Sequence, residues 1–512
     1  IDHYTYVLCS DGDLMEGVAY EAASFAGVQG LNKLIVLYDS NDVTLDAPLK
    51  NSFKDNILTR FESMGWNTDY VKEGNDLKEI DKAINRAKKS VNKPTIIEIK
   101  TVIGRGTYNE GKSVVHGKPL TKDDTDNLRR NLGITTAPFE IDKKILDYVR
   151  QEIANRVQKP YQAWQEYYQK YRNLMDPDIQ RNIAFLEKKD IIANFESQNF
   201  KIQDNYFEEL RESNSKIINL ISDRTKFFLG GSADLSSSCK TNLYKELDLT
   251  KQNPQGRNIY FGIREHAMGA IINGMALSGL HTYGSTFLSF ADYLKPALRM
   301  AALMNLPVTY IFTHDTISVG QDGPTHQPIE QLTMLRTTPN LNVYRPADIR
   351  EVIGCWDIII KQQKPSALVI CKDPLRIISG SDSEQTKQGA YIVSPEEGAL
   401  QAVIIATGSE LTMVNNVKSE IKANYPGLRL VSMPSLELFL KQDATYQQTI
   451  IPPQSKVIVV EAGNPLIWCQ FTTLSNIIGL QDFGLSGRSE EVKQHFKIDY
   501  NSIKERIIGL LK

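Results

Sequence analysis

Two short polar segments near the start of the chain contain the side chains that a divalent cation and a phosphate group require. Asp11 and Gly12 follow one apolar run, and Asn41 and Val43 follow the next one. A glycine lets an anion approach the backbone, while carboxylate, amide and carbonyl oxygens are the ligands of hard cations such as Mg²⁺. Each segment alone is an ordinary turn sequence. Together they predict one metal–phosphate anchor at the edge of a sheet.

Histidines in loops are the second group of candidates for chemistry. His314 and His326 lie in the segment THDTISVGQDGPTHQP, and His116 lies in another glycine-containing loop. The seven histidines of the chain show no metal-ligand spacing. Loop histidines donate hydrogen bonds to sugar hydroxyls, phosphates or oxyanions. The pattern therefore predicts that these three residues act on a polar substrate.

The elements that must position these residues follow a βα pattern. Short apolar runs alternate with amphipathic stretches such as Ala19–Gly27, which predicts an α/β fold of three consecutive doubly wound units. The sequence from Phe139 to about Ile202, including Tyr161–Leu174, predicts a helical connection, and Ser379–Lys387 predicts a polar linker. We place the domains at residues 1–175, 176–380 and 381–512. The predicted strands are Tyr6–Cys9, Leu34–Tyr38, Thr95–Lys100, Phe227–Leu229, Tyr283–Phe287, Val308–Thr313, Asn342–Tyr344, Ala367–Cys371, Ala402–Ala406, Leu428–Ser432 and Val457–Glu461.

Composition restricts the classes of partner. The chain has 59 basic and 61 acidic residues, and its net charge of -2 gives no electrostatic reason to expect nucleic acid or an anionic membrane. No apolar run is long enough to span a membrane. The five cysteines form no CxxC pair, which is typical of the cytoplasm. Because the sequence starts directly on a strand pattern, we expect it to lack the N-terminal part of its first domain.

The segment SDGDLMEGVAYEAASFAGVQGLNKLIVLYDSNDVTLD resembles the thiamine-diphosphate motif of transketolases. Further segments with family-like sequence follow in order over nearly the whole chain, including KTVIGRGTYNEGKSVVHGKPL, GGSADLSSS, YFGIREHAMGAI, YGSTFLSFADYLKPALR and IATGSELT. The resemblance implies thiamine diphosphate as cofactor, with Mg²⁺ or alternatively Ca²⁺. It implies Asp11, Gly12, Glu16 and Asn41 as cofactor-binding residues. It implies Asp11, Asn41 and Val43 as metal ligands.

The resemblance also implies how the rest of the cofactor is held. Glu265, in Gly-Ile-Arg-Glu-His, matches the glutamate that hydrogen-bonds the aminopyrimidine ring and takes part in its proton transfer. Phe287, Phe290 and Tyr293 match the aromatic wall on which that ring stacks. We therefore expect Glu265 to be catalytic and the three aromatic residues to bind the cofactor.

The substrate residues come from the same resemblance. His326 and His116 match residues at the reacting carbon and the substrate hydroxyls, with catalytic roles, and Asp322 matches the residue that binds the donor's hydroxyl near C2. The phosphate end of the sugar would meet His314, Arg211, Ser238 and Lys372. The chain departs from the family pattern here, because Cys371-Lys372-Asp373 stands where Ser-Arg-Gln is common. The loss of a bidentate guanidinium predicts weaker phosphate binding, and Asp373 could also pair with Lys372.

The function implied is a reversible transfer of a two-carbon ketol unit in the pentose phosphate pathway. Xylulose 5-phosphate is the donor, and ribose 5-phosphate or erythrose 4-phosphate is the acceptor. The resemblance implies a homodimer with active sites shared between chains, and no catalytic group in the C-terminal unit. One alternative is a dihydroxyacetone or deoxyxylulose-phosphate synthase, although the loop HDTISVGQDGPTHQP argues against the second. The other is a non-catalytic binding or scaffold chain, because the expected glycine-rich diphosphate loop and channel histidines have no match.

Overall fold

The structure is a computed structural model that describes residues 3–172 and 206–512, with 177, 180 and 202 between them. The chain divides into two compact units. The first consists of residues 1–180 and 250–252, and the second of residues 181–249 and 253–512. In the described part of the chain, no helix is long and apolar enough to cross a membrane.

The first unit is built on a parallel sheet. Its strands run in the order β1-β2-β4-β3, and Cys9 pairs with Tyr38 and Ser10 with Asp39. This register brings the residues after β1 and β2 to the same edge. β1 lies at the side of the sheet, and Leu8 in it is 80% exposed. The elements are β1 (Thr5–Ser10), α1 (Gly17–Gln29), β2 (Leu34–Ser40), α2 (Ile57–Ser63), β3 (Asn67–Val71), α3 (Leu77–Ala87), β4 (Thr95–Lys100), α4 (Lys122–Asn131) and α5 (Lys143–Arg172).

Apolar side chains on both faces of this sheet hold α1, α2 and α3 against it. Phe61 and Trp66 pack edge to face on one side, and the indole of Trp66 donates to the Ala23 carbonyl at 2.8 Å. Ile35 and Ile97 are buried on the other side. The two covered faces explain why β2 begins with four consecutive aliphatic residues and why β4 contains three isoleucines.

The second unit contains two larger sheets. In the first, parallel strands run in the order β10-β11-β9-β8-β6-β7. In the other, the order is β13-β15-β14-β16-β17, with β13 antiparallel to β15 and the other pairs parallel. β12 and β5 form a short antiparallel pair. Every residue of β8 and β9 is buried, as is expected for strands covered by helices on both faces.

The elements of the second unit up to the end of its first sheet are as follows, in chain order. They are β5 (Phe207–Glu209), α6 (Leu210–Arg224), β6 (Phe228–Ser232), α7 (Ser236–Cys239), β7 (Asn258–Tyr260), α8 (Glu265–Leu277), β8 (His281–Phe287), α9 (Ala291–Met304), β9 (Val308–Thr313), α10 (Gln331–Arg336), β10 (Asn342–Tyr344), α11 (Ile349–Gln362), β11 (Ser366–Ile370) and β12 (Pro374–Arg376).

The remaining elements belong to the C-terminal sheet and its helices. They are α12 (Ser383–Thr386), β13 (Tyr391–Ser394), β14 (Ala402–Ala406), α13 (Glu410–Ile421), β15 (Leu428–Ser432), α14 (Leu436–Phe439), α15 (Ala444–Ile450), β16 (Val457–Val460), β17 (Ile477–Ile478), α16 (Ser489–His495) and α17 (Tyr500–Leu511). The α/β fold class and all the predicted strands are confirmed, with bounds that move by up to three residues.

Two local predictions need correction. The helical connection begins at Lys143 rather than at Phe139, which has a φ of 66°, and the part of Tyr161–Leu174 beyond Arg172 lies outside the described residues. The predicted linker Ser379–Lys387 contains α12, and its Thr386 is buried against Gly354 of α11. Polar composition suggested a loop because the few side chains that anchor this segment are hydroxyls.

Candidate functional site

The ends of β1 and β2 assemble the predicted metal–phosphate edge in the first unit. Asp11 is 1% exposed, and its Oδ2 accepts the backbone N–H groups of Asn41 and Asp42 at 3.2 and 3.0 Å. Its Oδ1 accepts the hydroxyl of Tyr38. The Asn41 Oδ1 accepts the Val43 N–H at 3.2 Å, which orders this turn. The structure thus brings Asp11, Asn41 and Val43 together, as the sequence predicted.

Negative charge concentrates at this edge. Asp13, Asp39 and Asp42 lie near Asp11, and burial together with the Asp13 and Asp11 charges raises the pKa of the Cys9 thiol to about 12. Within the described residues, no cluster of three His, Cys, Asp or Glu side chains forms a metal cage. A hard cation here would take one carboxylate, an amide oxygen and a backbone carbonyl, with other oxygens coming from its ligand. That donor set suits Mg²⁺, which rarely uses an all-protein cage.

Gly12 tests whether a phosphate group fits this edge. Its φ of -63° and ψ of -44° are ordinary for any residue, and an added Cβ would meet no atom within 4 Å. Neither strain nor crowding inside the chain therefore requires glycine at this position. The open space beside the Gly12 backbone is compatible with close approach of a diphosphate group, and in this respect the residues present fit one.

The side chains of two other predicted residues of the first unit form no hydrogen bond with another described residue. Glu16 is exposed at the start of α1, and its side chain does not cap the helix. His116 is half-buried in a loop, and its Nδ1 is buried without a hydrogen-bond partner within the described residues. Neither the Glu16 nor the His116 side chain therefore forms a hydrogen bond with Asp11 in the structure. The unsatisfied Nδ1 is consistent with a histidine that meets a substrate.

Glu265 and the aromatic residues lie in the second unit. Glu265 is the first residue of α8 and is 8% exposed, so its carboxylate faces a mostly dry environment. Tyr293, on α9, packs edge to face with His266 at 5.8 Å between ring centroids. Phe287, at the end of β8, stacks on Phe290 with centroids 5.9 Å apart. The chain thus places these candidates at the carboxyl end of β8 and the adjoining helices.

The histidine loop, residues 314–327, brings two imidazoles onto this aromatic pair. The centroid of His314 lies 3.8 Å from that of Phe287, and His326 packs edge to face on Phe290 at 5.2 Å. Asp322 is exposed in the same loop, between Gly320 and Gly323. The structure therefore brings His314, His326, Phe287 and Phe290 together in the second unit.

Each of these imidazoles is oriented by a neighbouring threonine. Thr313 Oγ1 lies 2.8 Å from Nδ1 of His314, and Thr325 Oγ1 lies 3.0 Å from Nδ1 of His326. Burial, followed by the Lys372 and Arg211 charges, lowers the pKa of His314 to about 3. His314 is therefore neutral at physiological pH. With Nδ1 engaged, Nε2 is the nitrogen available to a ligand in both rings.

The predicted phosphate residues are also neighbours. Arg211 Nη1 donates to the Ser238 carbonyl at 2.6 Å, and Arg211 Nε donates to Glu209 at 2.7 Å. The Lys372 and Arg211 charges both act on His314. Asp373 pairs with Lys493 and not with Lys372 as the sequence suggested, because Asp373 Oδ2 lies 3.3 Å from Nζ of Lys493.

A buried ionic network behind the histidine loop was not predicted. Arg345 is fully buried and bonds Asp315, the residue after His314, and Glu410 of α13. Burial raises the pKa of Asp315 to about 6. Burial also acts to raise the pKa of Glu461, but the charges of Arg336 and Arg345 outweigh it and lower the pKa to about 2. In the sequence, these residues stand out only as charged residues near the ends of strands. The network could not be predicted from local patterns, because its partners lie 30 to 125 residues apart.

Comparison with known proteins gives the family. Residues 1–205 match the transketolase thiamine diphosphate binding domain, residues 209–377 the transketolase pyrimidine binding domain, and residues 389–499 the transketolase-like C-terminal domain. A probable transketolase of Streptococcus pneumoniae is 42% identical over 96% of this chain and 75% of its own. The transketolase of Leishmania mexicana superposes with a TM-score of 0.94 at 33% identity, covering 100% of this chain and 76% of its own. A Pichia stipitis transketolase, described as a complex with sedoheptulose 7-phosphate, gives 0.93 at 32% identity, with coverage of 100% and 76%.

The chain has an α/β fold, with a thiamine diphosphate binding domain followed by a pyrimidine binding domain. These features define the class of thiamine-diphosphate-dependent transferases. Within that class, the chain belongs to the transketolase family. No finding favours the dihydroxyacetone or deoxyxylulose-phosphate synthase, or the scaffold reading.

Proposed function

We propose that this chain transfers a two-carbon ketol unit from a ketose phosphate to an aldose phosphate, using the residues described above. The observation that carries the proposal is the cluster of His314 and His326 on Phe287 and Phe290, beside Arg211. It combines an aromatic surface for a planar ring, imidazoles for hydroxyls, and cations for a phosphate. The Pichia stipitis relative with bound sedoheptulose 7-phosphate supports a sugar phosphate substrate.

In this proposal Asp11, Asn41 and Val43 hold Mg²⁺, with Ca²⁺ as an alternative, and Gly12 lets the diphosphate approach the backbone. Tyr38 fixes Asp11 through its hydroxyl, so the carboxylate is oriented before the metal binds. Glu16, at the start of α1, is a further cofactor-binding residue in this proposal. Magnesium suits this site because few protein ligands leave room for diphosphate oxygens.

Thiamine diphosphate, when bound, supplies the nucleophilic carbon and the electron sink for cleavage next to a ketose carbonyl. Glu265 holds a proton on the aminopyrimidine ring, because its carboxylate is nearly buried at the start of α8. Phe287, Phe290 and Tyr293 support that ring and keep water from it.

The sugar is oriented and deprotonated by the loop residues. His326 takes the proton of the donor hydroxyl next to the breaking bond at Nε2, with its Nδ1–H donated to Thr325. Asp322 binds a hydroxyl near C2, and His116 binds another. His314, neutral because of its lowered pKa, donates from Nε2 toward the phosphate end. Arg211, Ser238 and Lys372 bind the phosphate group.

We propose that the active enzyme is a homodimer whose sites are shared. Asp11 lies in the first compact unit and Glu265 in the second, so two chains can contribute one residue each to a site. We also propose domains at 1–175, 176–380 and 381–512, a role in the pentose phosphate pathway, and a cytoplasmic location. The five free cysteines support a reducing compartment.

The first test measures the reaction of the purified full-length protein. With thiamine diphosphate and Mg²⁺, we expect sedoheptulose phosphate from xylulose 5-phosphate and ribose 5-phosphate, and Glu265→Ala should abolish turnover without unfolding the protein. Formaldehyde or pyruvate as co-substrate distinguishes the two synthases. Product from either of these, with none from ribose 5-phosphate, would refute the proposal.

The second test separates metal binding from general damage. Asp11→Asn should weaken Mg²⁺-dependent cofactor binding in titration calorimetry by at least tenfold. Asp13→Asn is the matched control, because Asp13 lies at the same edge but is exposed and bonds Ser10. Equal losses in both variants would contradict the assignment of Asp11.

The third test concerns the shared sites. Mixed dimers of Asp11→Ala and Glu265→Ala chains would have one site with both changes and one site with neither. Random exchange should therefore restore about a quarter of the parental activity, since half of the dimers are mixed and each has one of two sites intact. Activity that stays at the level of the separate variants would contradict the shared sites.

A further inference from the structure

A stretch of the C-terminal part of the second unit lies directly against the histidine loop. It consists of residues 484–489, which connect the region after β17 to the start of α16. We name it the clasp segment. It contains two glycines and two serines and belongs to the C-terminal sheet domain, in which the sequence predicted no catalytic group.

Hydrogen bonds join the clasp segment to the histidine loop, close to the loop's glycines. Gln327 is 2% exposed, and its Nε2 donates to the carbonyls of Gly320 and Leu485, both at 2.9 Å. From the other side, Ser486 Oγ donates to the Gln321 carbonyl at 2.8 Å. One buried amide group therefore closes the loop on itself and ties it to a segment 158 residues away.

The two segments also pack without spare room. A Cβ added to Gly484 would lie 1.6 Å from Oε1 of Gln327. A Cβ on Gly320 would lie 3.2 Å from the Gly487 carbonyl oxygen, and Gly320 also has a φ of 74°. Only glycine fits at position 484 while Gln327 keeps this position. The packing is thus specific to the Gln327 side chain.

The loop needs this support because of its own sequence. Asp322 lies between Gly320 and Gly323, both with positive φ, and its side chain is exposed. Glycines lose the most backbone freedom when they become ordered, so a loop with two of them depends on contacts that offset this loss of entropy. The helix that follows the clasp segment, α16, also places Lys493 on Asp373, next to Lys372.

We propose that the clasp segment is a positioning element for ketol transfer, which holds Asp322 and His326 in place through Gln327 and Ser486. This inference rests on the proposed function for the reaction that it affects. It assigns a role to the C-terminal domain: the segment acts on the loop and not on the substrate. Catalysis depends on the position of a base such as His326, and even a small displacement of it lowers the rate of the reaction.

The test compares two clasp variants with two matched controls. Gly484→Ala and Ser486→Ala change the clasp segment. Gly509→Ala makes the same glycine change where an added Cβ meets nothing within 4 Å, and Ser419→Ala removes a serine hydroxyl that bonds only a local carbonyl, that of Asn415, at 2.9 Å. Hydrogen–deuterium exchange of peptides that cover residues 316–328 reports the loop, and thermal unfolding reports the whole fold.

We expect loop exchange to rise severalfold in both clasp variants, with kcat lowered about fivefold in Ser486→Ala, as for the loss of one hydrogen bond. The loss should be larger in Gly484→Ala, and KM for the phosphorylated acceptor should change less than kcat. Both controls should match the parent. Unchanged loop exchange in the clasp variants, or equal changes in the controls, would overturn the proposal.

A double variant tests the route of the effect. Because the 1.6 Å contact with Oε1 disappears in Gln327→Ala and only the Cβ of residue 327, at 3.1 Å, remains, Gly484→Ala should add much less loop exchange in that background than in the parent. An equal increase in both backgrounds would overturn the role of Gln327. The exchange results do not need turnover. A parent without ketol transfer would overturn the proposed function alone, whereas an active parent with an unresponsive loop would overturn the clasp segment alone.

Discussion

Replacing Lys372 with arginine should strengthen the binding of phosphorylated substrates. The proposed phosphate subsite includes the guanidinium of Arg211, which has five N–H donors. Two of them are already used, since Nε donates to Glu209 and Nη1 to the Ser238 carbonyl. Lys372 adds a point charge, and because Asp373 pairs with Lys493 that charge is not consumed by its neighbour. An arginine at 372 would add a forked donor.

The magnitude follows from one additional charge-assisted hydrogen bond. Such a bond contributes about 1.5 kcal/mol, and the partial exposure of Lys372 reduces this to about 1 kcal/mol. The KM for ribose 5-phosphate should therefore fall roughly fivefold in Lys372→Arg. The KM for an acceptor without phosphate, such as glycolaldehyde, should not change.

Steady-state kinetics with both acceptors checks this prediction. The control is Lys361→Arg, which makes the same chemical change away from the site, because Lys361 is exposed on α11. An equal change in KM for both acceptors would show that residue 372 acts on something other than the phosphate. A higher KM for ribose 5-phosphate alone would show that the larger side chain does not fit there.

Two further predictions concern stability. Arg345→Met should destabilise the protein by roughly 3–5 kcal/mol in urea unfolding, because three buried carboxylates would lose their shared partner, whereas Arg429→Met, at a pair nearer the surface, should have a smaller effect. A loss under 1 kcal/mol in Arg345→Met would contradict this. Burial lowers the pKa of His281 to about 4, so the unfolded chain binds more protons between about pH 6.5 and 4. The contribution of His281 to stability should then fall by roughly 3 kcal/mol as the pH drops through that window, so the difference in unfolding free energy between the parent and His281→Gln should change by that amount, while the exposed His495→Gln should behave like the parent. An identical pH dependence in His281→Gln would refute the assignment.

Much of the fold follows from local sequence. Runs such as Leu34–Tyr38 and Val308–Thr313 are apolar because both faces of their sheets are covered, so the strands could be predicted without knowledge of their partners. One of the strands that was missed has a mixed composition. Asn67–Val71 has three polar residues out of five, and its pairing with β4 supplies what its side chains do not.

The site could be predicted where it consists of short motifs and not where it depends on distant contacts. Asp11 and Asn41 follow neighbouring strands, so the sheet itself brings them together. The bonds of Gln327 with Leu485 and of Arg345 with Glu410 join residues that no local pattern relates. Side chains at such positions look like ordinary polar residues, since their partner is specified only by the tertiary fold.

The buried position of Arg345 also bears on how such proteins can be divided. Its partners Asp315 and Glu410 come from the pyrimidine-binding part and the C-terminal part, and Arg336 reaches Glu461 across the same boundary. If the chain were cut between the pyrimidine-binding part and the C-terminal part, Glu410 and Glu461 would keep their negative charges with no cation to neutralise them. The C-terminal part is therefore not a module that can be detached or exchanged freely. Any recombination with a relative would have to carry over both sides of this charge pairing together.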